Sequence, residues 1–319
     1  KIGHGGYGGV WLAHRLADEE AVAIKFVDPE YGERVRLQRE ILNHSRLMHP
    51  NIVRLFELLP VQRYVGLVME YVPEGDLFEY VIQNGRPGLS EASALGIFQQ
   101  IIRAVDYMHH QGVVSRDIKL ENCLLTRDDP PRVKLCDFGF SKSDAESMPN
   151  SRVGTPQYIP PELLQQPTYD GKKADVWCCG VLLYSMLAGS FPFYRSDDSV
   201  LRGEMERRNA VLHRIVRCEY TLPRGLSPEC CNLIANLLVR DPQRRLSVAD
   251  IQRHAYFVRG LSREWFAESA SLRAAATPGE GLSKGQVEDA FRIASGGGND
   301  GAQDDDIGAE HDELDTFDD

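Results

Sequence analysis

Apolar residues follow two different rhythms along this chain of 319 residues. Up to about residue 72 they come in short runs rich in Val, Ile and aromatics: "KIGHGGYGGVWLA", "EAVAIKFV", "IVRLFELLP" and "YVGLVMEYV". Gly and charged turns break these runs, the signature of strands. One helical stretch interrupts them, "YGERVRLQREILNHSRLM", with Val35, Leu37, Ile41 and Leu42 at helical spacing. His49-Pro50-Asn51 closes it, because the residue before a proline is pushed out of helical geometry. From Gly75 onward the rhythm is mostly helical, as in "ALGIFQQIIRAVDYMHH" and "ADVWCCGVLLYSMLAG". The pattern predicts an α+β fold in two lobes, β-rich over 1–72 and larger and α-helical over 73–258, jointed near Glu70–Pro73.

The apolar run 176–189 follows Asp175 and is too short to span a bilayer, so it reads as a buried core helix and no membrane is expected as a partner. Beyond residue 258 the composition changes. The segment 259–281, with "RAAATPGEGLSKG", reads as a linker. Residues 282–295 predict one amphipathic helix with Val287, Ala290, Phe291 and Ala294 on one face. Residues 296–319 are Gly-rich and acidic, for which disorder is expected.

Charge sharpens this division. The net charge is −11, and ten Asp or Glu with no Lys or Arg lie from Gly296 onward, so the body is close to neutral. Nucleic acid is therefore not an expected partner. Seven cysteines without a repeating spacing describe neither a disulfide framework nor a zinc site. Buried thiols in a reducing compartment, cytoplasmic or nuclear, are expected. The chain opens at Lys1 inside a strand, so preceding residues and any targeting signal in them are expected to be missing.

Candidate chemistry lies in four places. The run Gly3-His4-Gly5-Gly6-Tyr7-Gly8-Gly9-Val10 is by itself as compatible with an ordinary turn as with a phosphate-binding loop. A strand follows it instead of a helix, which favours a hairpin closing over phosphates above a dinucleotide fold. Lys25 in "VAIK" sits in an apolar strand just beyond, and Glu40 in the following helix is expected to pair with it, so that its ammonium grips the α- and β-phosphates of ATP. In "SRDIKLEN", Asp117 is placed to accept a hydroxyl proton and Lys119 to neutralise charge on a moving phosphoryl group. Asn122 and Asp137, the latter in Asp-Phe-Gly, offer hard oxygen donors spaced for Mg²⁺.

In this order and spacing the four motifs make residues 1–258 resemble the eukaryotic protein kinases. The resemblance implies a bilobal kinase fold and an ATP- and Mg²⁺-dependent transferase. It places Ile2, Gly3, Gly5, Gly8 and Val10 over the nucleotide, Ala23 and Leu124 on the two adenine faces, and Met69, Glu70 and Val72 at the back and hinge of the pocket. Glu162 would pair with Arg245, and Asp175 would begin the core helix and cap the catalytic loop. Lys119 and Thr155, of Gly-Thr-Pro, match the serine/threonine pattern. Asp76 and Glu121 match positions that read a basic residue near the target, with an ordinary solvated charge an equally open reading. Ser151, then Ser147, match the activating phosphosites, with Arg116 and Lys142 as their ligands.

More narrowly, "REILNHSRLMHPNIVRL", "RVKLCDFGFSKS" and "VGTPQYIPPELL" are similar to the plant sucrose-non-fermenting-1-related kinases of subfamily two. That likeness implies stress signalling, a regulatory helix beside the one bearing Glu40, and contact of the acidic tail with type 2C phosphatases. One departure stands out: Ser115 occupies the place of the family's histidine before Arg116. Because that histidine braces the loop without touching phosphate, a rate penalty of about tenfold is expected. The alternatives are a pseudokinase-like scaffold, which only Ser115 supports, and a small-molecule phosphotransferase, against which the 155–162 peptide-binding segment speaks.

Overall fold

A computed structural model of the chain describes residues 1–5, 8–28, 34–83, 88–137, 156–166, 168–200, 203–275 and 281–296. Five antiparallel strands form the first lobe: β1 (Gly3–Gly5), β2 (Gly8–His14), β3 (Ala21–Val27), β4 (Leu55–Val61) and β5 (Tyr64–Glu70), in the order β1-β2-β3-β5-β4. Strand alternation sends Ala23, Lys25 and Val27 of β3 to the buried side, with Lys25 between Val10 of β2 and Leu67 of β5. Helix α1 (Arg34–Ser45) lays Leu37 and Ile41 against this sheet. Val35 does not join them and is 68 % exposed. Two residues before Leu37, it stands about 200° around a helix of 3.6 residues per turn, so its place in the apolar stripe is corrected.

The second lobe is built around two helices. These are α2 (Glu91–His110), capped by the Ser90 side chain, and α3 (Gly171–Ala188), capped by Asp170. The core helix thus begins four residues before Asp175, which lies inside it. Every position of α3 from Ala174 to Leu187 is buried, which explains its almost wholly apolar text. Between them β6 (Cys123–Leu125) and β7 (Val133–Leu135) form a hairpin, and α4 (Glu204–Arg217), α5 (Pro228–Leu237) and the short α6 (Val248–Ile251) complete the lobe. Gly180 lets α5 cross α3 closely, since a β-carbon there would sit 2.8 Å from that of Leu237. No helix among the described residues is long and apolar enough to cross a membrane.

The segment expected to be a linker is largely helical. Helix α7 (Arg263–Ala275) occupies 13 of its residues and docks on α2. Arg273 pairs with Asp106, Arg103 with Glu268, and Trp265 meets Phe257 edge-on. The Thr-Pro-Gly text at 277–279 hid the helix-forming "REWFAESASLRAA" before it.

Helix α8 (Lys284–Ala294) starts at a capping box of Ser283 and Gln286. Val287, Ala290, Phe291 and Ala294 are buried with Leu37, Ile41, Leu55 and Val65 in the first lobe's core. Ser45 Oγ accepts from Leu282 N at 3.1 Å, and the Arg34 guanidinium lies over Phe291. Phe291→Ala removes the largest side chain that α8 contributes, at a cost of about 3–5 kcal/mol. Hydrogen exchange should then show residues 284–294 losing protection; unchanged protection would mean that α8 is held otherwise.

Candidate active site

A cleft of about 530 Å³ separates the lobes. Ile2, Gly3, Val10, Ala23, Lys25, Glu40, Met69, Glu70, Val72, Asp76, Glu121, Asn122, Leu124 and Asp137 all line it. Residues more than a hundred positions apart in sequence thus meet at one cavity. Gly5 and Gly8 face each other as the last pair of the β1–β2 hairpin before the connection through 6–7. Thr155, Ser151, Ser147 and Lys142 lie outside the described residues.

The loop between α2 and β6 holds the reactive groups. Lys119 Nζ donates to Asp117 Oδ2 at 2.9 Å, and Asn122 Nδ2 donates to Asp117 Oδ2 at 2.8 Å and to its backbone oxygen at 2.9 Å. With its amide nitrogen committed to Asp117, Asn122 has its carbonyl oxygen left for a cation, and Asp137 brings a carboxylate to the same cleft. This all-oxygen pair suits a hard cation such as Mg²⁺. Burial pushes the Asp117 carboxyl above its ordinary range, with Lys119 and Asn122 opposing the shift. Burial likewise raises Glu121, whose carboxylate accepts from Tyr158 Oη at 3.2 Å. Asp76 spends a carboxylate oxygen on Glu79 N at 2.9 Å.

Support for the loop comes from α3. Asp175, wholly buried, accepts from Ser115 N at 3.1 Å, Arg116 N at 2.8 Å and His109 Nε2 at 2.9 Å. These bonds hold Arg116 at a φ of 59°, a left-handed geometry that a non-glycine residue adopts at some cost; Asp137 has a φ of 57°. Ser115 is itself buried, and its Oγ lies 3.5 Å from Asp117 N. The Arg116 guanidinium stacks over the Tyr169 ring. Below the loop, Arg245 grips both oxygens of Glu162 at 2.7 and 2.8 Å and bonds the carbonyls of Val239 and Lys173. That expected pair is formed, and both partners are almost entirely buried.

One expected pair is absent. Lys25 Nζ donates to Asp137 Oδ1 at 2.7 Å, whereas Glu40 accepts from Arg36 Nε at 3.0 Å. The correction has a simple cause: Arg36 is one helical turn from Glu40, where side chains on the same face meet. Sequence reading overlooked Arg36 although its spacing was visible. It also overlooked His44, buried on the cleft wall with its Nε2 2.7 Å from the Val53 carbonyl. Desolvation lowers His44 to about 4, so its imidazole is neutral. Cys136 lines the cleft too, and burial pushes its thiol up to about 12, away from the thiolate form.

Comparison with known proteins matches this geometry. Residues 1–257 fit the protein kinase domain family. Serine/threonine-protein kinase SRK2E of Arabidopsis thaliana is 43 % identical over 265 residues, covering 82 % of this chain and 70 % of the relative. SRK2I of the same plant is 41 % identical over 273 residues, covering 84 % and 73 %. SAPK4 of Oryza sativa subsp. japonica is 42 % identical over 268 residues, covering 82 % and 72 %. A bilobal fold, a cleft lined by Lys25, Asn122 and Asp137 and relatives over most of the chain lead to one conclusion: the chain belongs to the protein kinase family and, within it, to the serine/threonine kinases of sucrose-non-fermenting-1-related subfamily two.

Proposed function

We propose that this kinase transfers the γ-phosphoryl group of ATP to serine or threonine hydroxyls in basic protein segments, and that phosphorylation of its own activation loop switches it on. The juxtaposition of Asp117, Lys119 and Asn122 beside Asp137 carries this reading. Adenine enters between Ala23 and Leu124, with the glycine hairpin over the phosphates. Asp117 takes the proton of the attacking hydroxyl as its oxygen bonds to the γ-phosphorus. The bond from that phosphorus to the β,γ-bridging oxygen breaks, and ADP departs with the electron pair. Lys119 and Lys25 spread the charge that develops. Mg²⁺, held by Asn122 and Asp137, would neutralise the β- and γ-phosphate oxygens. Asp76 and Glu121 at the cleft wall give basic residues of the substrate a carboxylate to meet.

Lys25 and Asp137 are paired in the cleft and Asp117 is held beside it by Lys119 and Asn122, which supports catalysis over a scaffold role. Stress signalling and contact of the acidic tail with type 2C phosphatases belong to the same proposal, supported by the likeness to subfamily two. Transfer of labelled phosphate to a basic serine peptide tests the reaction, and a peptide with acidic flanks tests the preference. Ser151→Ala should lower activity sharply, because a phosphoserine there supplies the charge that Arg116 and Lys142 would bind. Full activity of that variant would reject the switch.

A further inference from the structure

The Glu40 carboxylate is 3 % exposed, and only one of its oxygens is hydrogen-bonded. Its Oε2 is buried and finds no hydrogen-bond partner among the described residues. A buried carboxylate with an unsatisfied oxygen is costly and favours gaining a second donor. Lys25, close enough to act on it electrostatically, instead bonds Asp137. Phosphoryl transfer by protein kinases requires the strand lysine and the helix glutamate to be paired.

From this arrangement we infer that Arg36 is a positioning residue that restrains the kinase by competing with Lys25 for Glu40. The inference rests on the kinase reading above and deepens it by naming a control on the same site. The physical reason is that the Arg36–Glu40 pair is internal to α1. It survives any rigid movement of that helix, so it satisfies Glu40 equally well where Lys25 cannot reach it. Among the described residues no other group hydrogen-bonds the Glu40 carboxylate in the resting position if Arg36 loses its charge. The carboxylate then gains more by turning to Lys25, and the pair required for transfer forms more often. Burial, the largest influence on Glu40, raises its pKa to about 7, and Arg36 is the first of the groups that oppose it.

The test uses the full chain, dephosphorylated, with basic-peptide phosphorylation read as kcat and KM for ATP. Arg36→Met keeps the apolar stem and removes the charge, and Arg36→Gln provides a second variant should Met fail to fold. Either is expected to raise kcat by about fivefold or more, the lower range of coupling between linked sites. Arg36→Lys should return kcat to near the wild-type value, and Glu40→Gln combined with Arg36→Met should abolish the gain. A merely structural Arg36 would give lower stability and no gain. The inference is overturned if both charge-removing variants fold and their kcat is unchanged or reduced, or if the gain survives Glu40→Gln. Failure of the kinase reading itself looks different: wild type and Asp117→Asn would then be equally inactive.

Discussion

Asp117→Asn lowers kcat by about 10²–10⁴, the range of a lost general base, and leaves KM for ATP nearly unchanged. Asparagine keeps the shape of the side chain and an oxygen for Lys119 and Asn122, so the loop retains its form. What it loses is the capacity to hold the hydroxyl proton. The pH profile separates this role from a structural one. Burial raises the Asp117 pKa above the ordinary value, with Lys119 opposing. In the wild type, then, the carboxylate takes up a proton as pH falls through that raised value, and the rate falls with it. The acid limb of kcat/KM should therefore stand above the usual aspartate range. Lys119→Met, by removing the opposing charge, should move it higher still. The asparagine variant should lack that limb altogether. Steady-state assays across pH decide the matter, and a variant that keeps a third of the wild-type rate would remove Asp117 from its proposed role.

The second large effect concerns stability. Arg245→Met leaves the Glu162 carboxylate, 2 % exposed, without its counter-charge, and strips the Val239 and Lys173 carbonyls of a donor. Breaking a buried pair from one side costs about 3–5 kcal/mol, because the remaining charge has neither water nor partner. That is a large fraction of the stability of an ordinary domain, and the urea midpoint should fall accordingly. Adding Glu162→Leu should recover much of the loss, since a matched apolar pair carries no desolvation penalty. If the double variant is no better than the single one, the carbonyl contacts of Arg245 matter more than its ion pair.

Much of this site was legible because catalytic motifs constrain residue type and spacing together. Lys25, Asp117, Asn122 and Asp137 were identifiable from three short runs, and the structure brings Lys25, Asn122 and Asp137 to one cleft with Asp117 bonded to Asn122 at its edge. The apolar stripe of Val287, Ala290, Phe291 and Ala294 announced α8 for a similar reason, since period and burial coincide there. Pairing was harder to read. A sequence shows that Glu40 and Lys25 are able to meet, but not which of two cations wins, because that depends on fractions of an ångström and on Asp137 arriving from a distant segment. Helix α7 escaped because its buried contacts, through Trp265, Ser269 and Arg273, are too few and too mixed in polarity to make a stripe.

Because α7 is fastened to the helical lobe and α8 to the β lobe, the polypeptide joins the two halves a second time, apart from the run at 70–73. Only six residue steps separate Ala275 from Gly281, a reach of about 20 Å when fully extended. The second connection caps how far those two anchors can part. A nick between these anchors would lift that cap without disturbing a single group that handles phosphate.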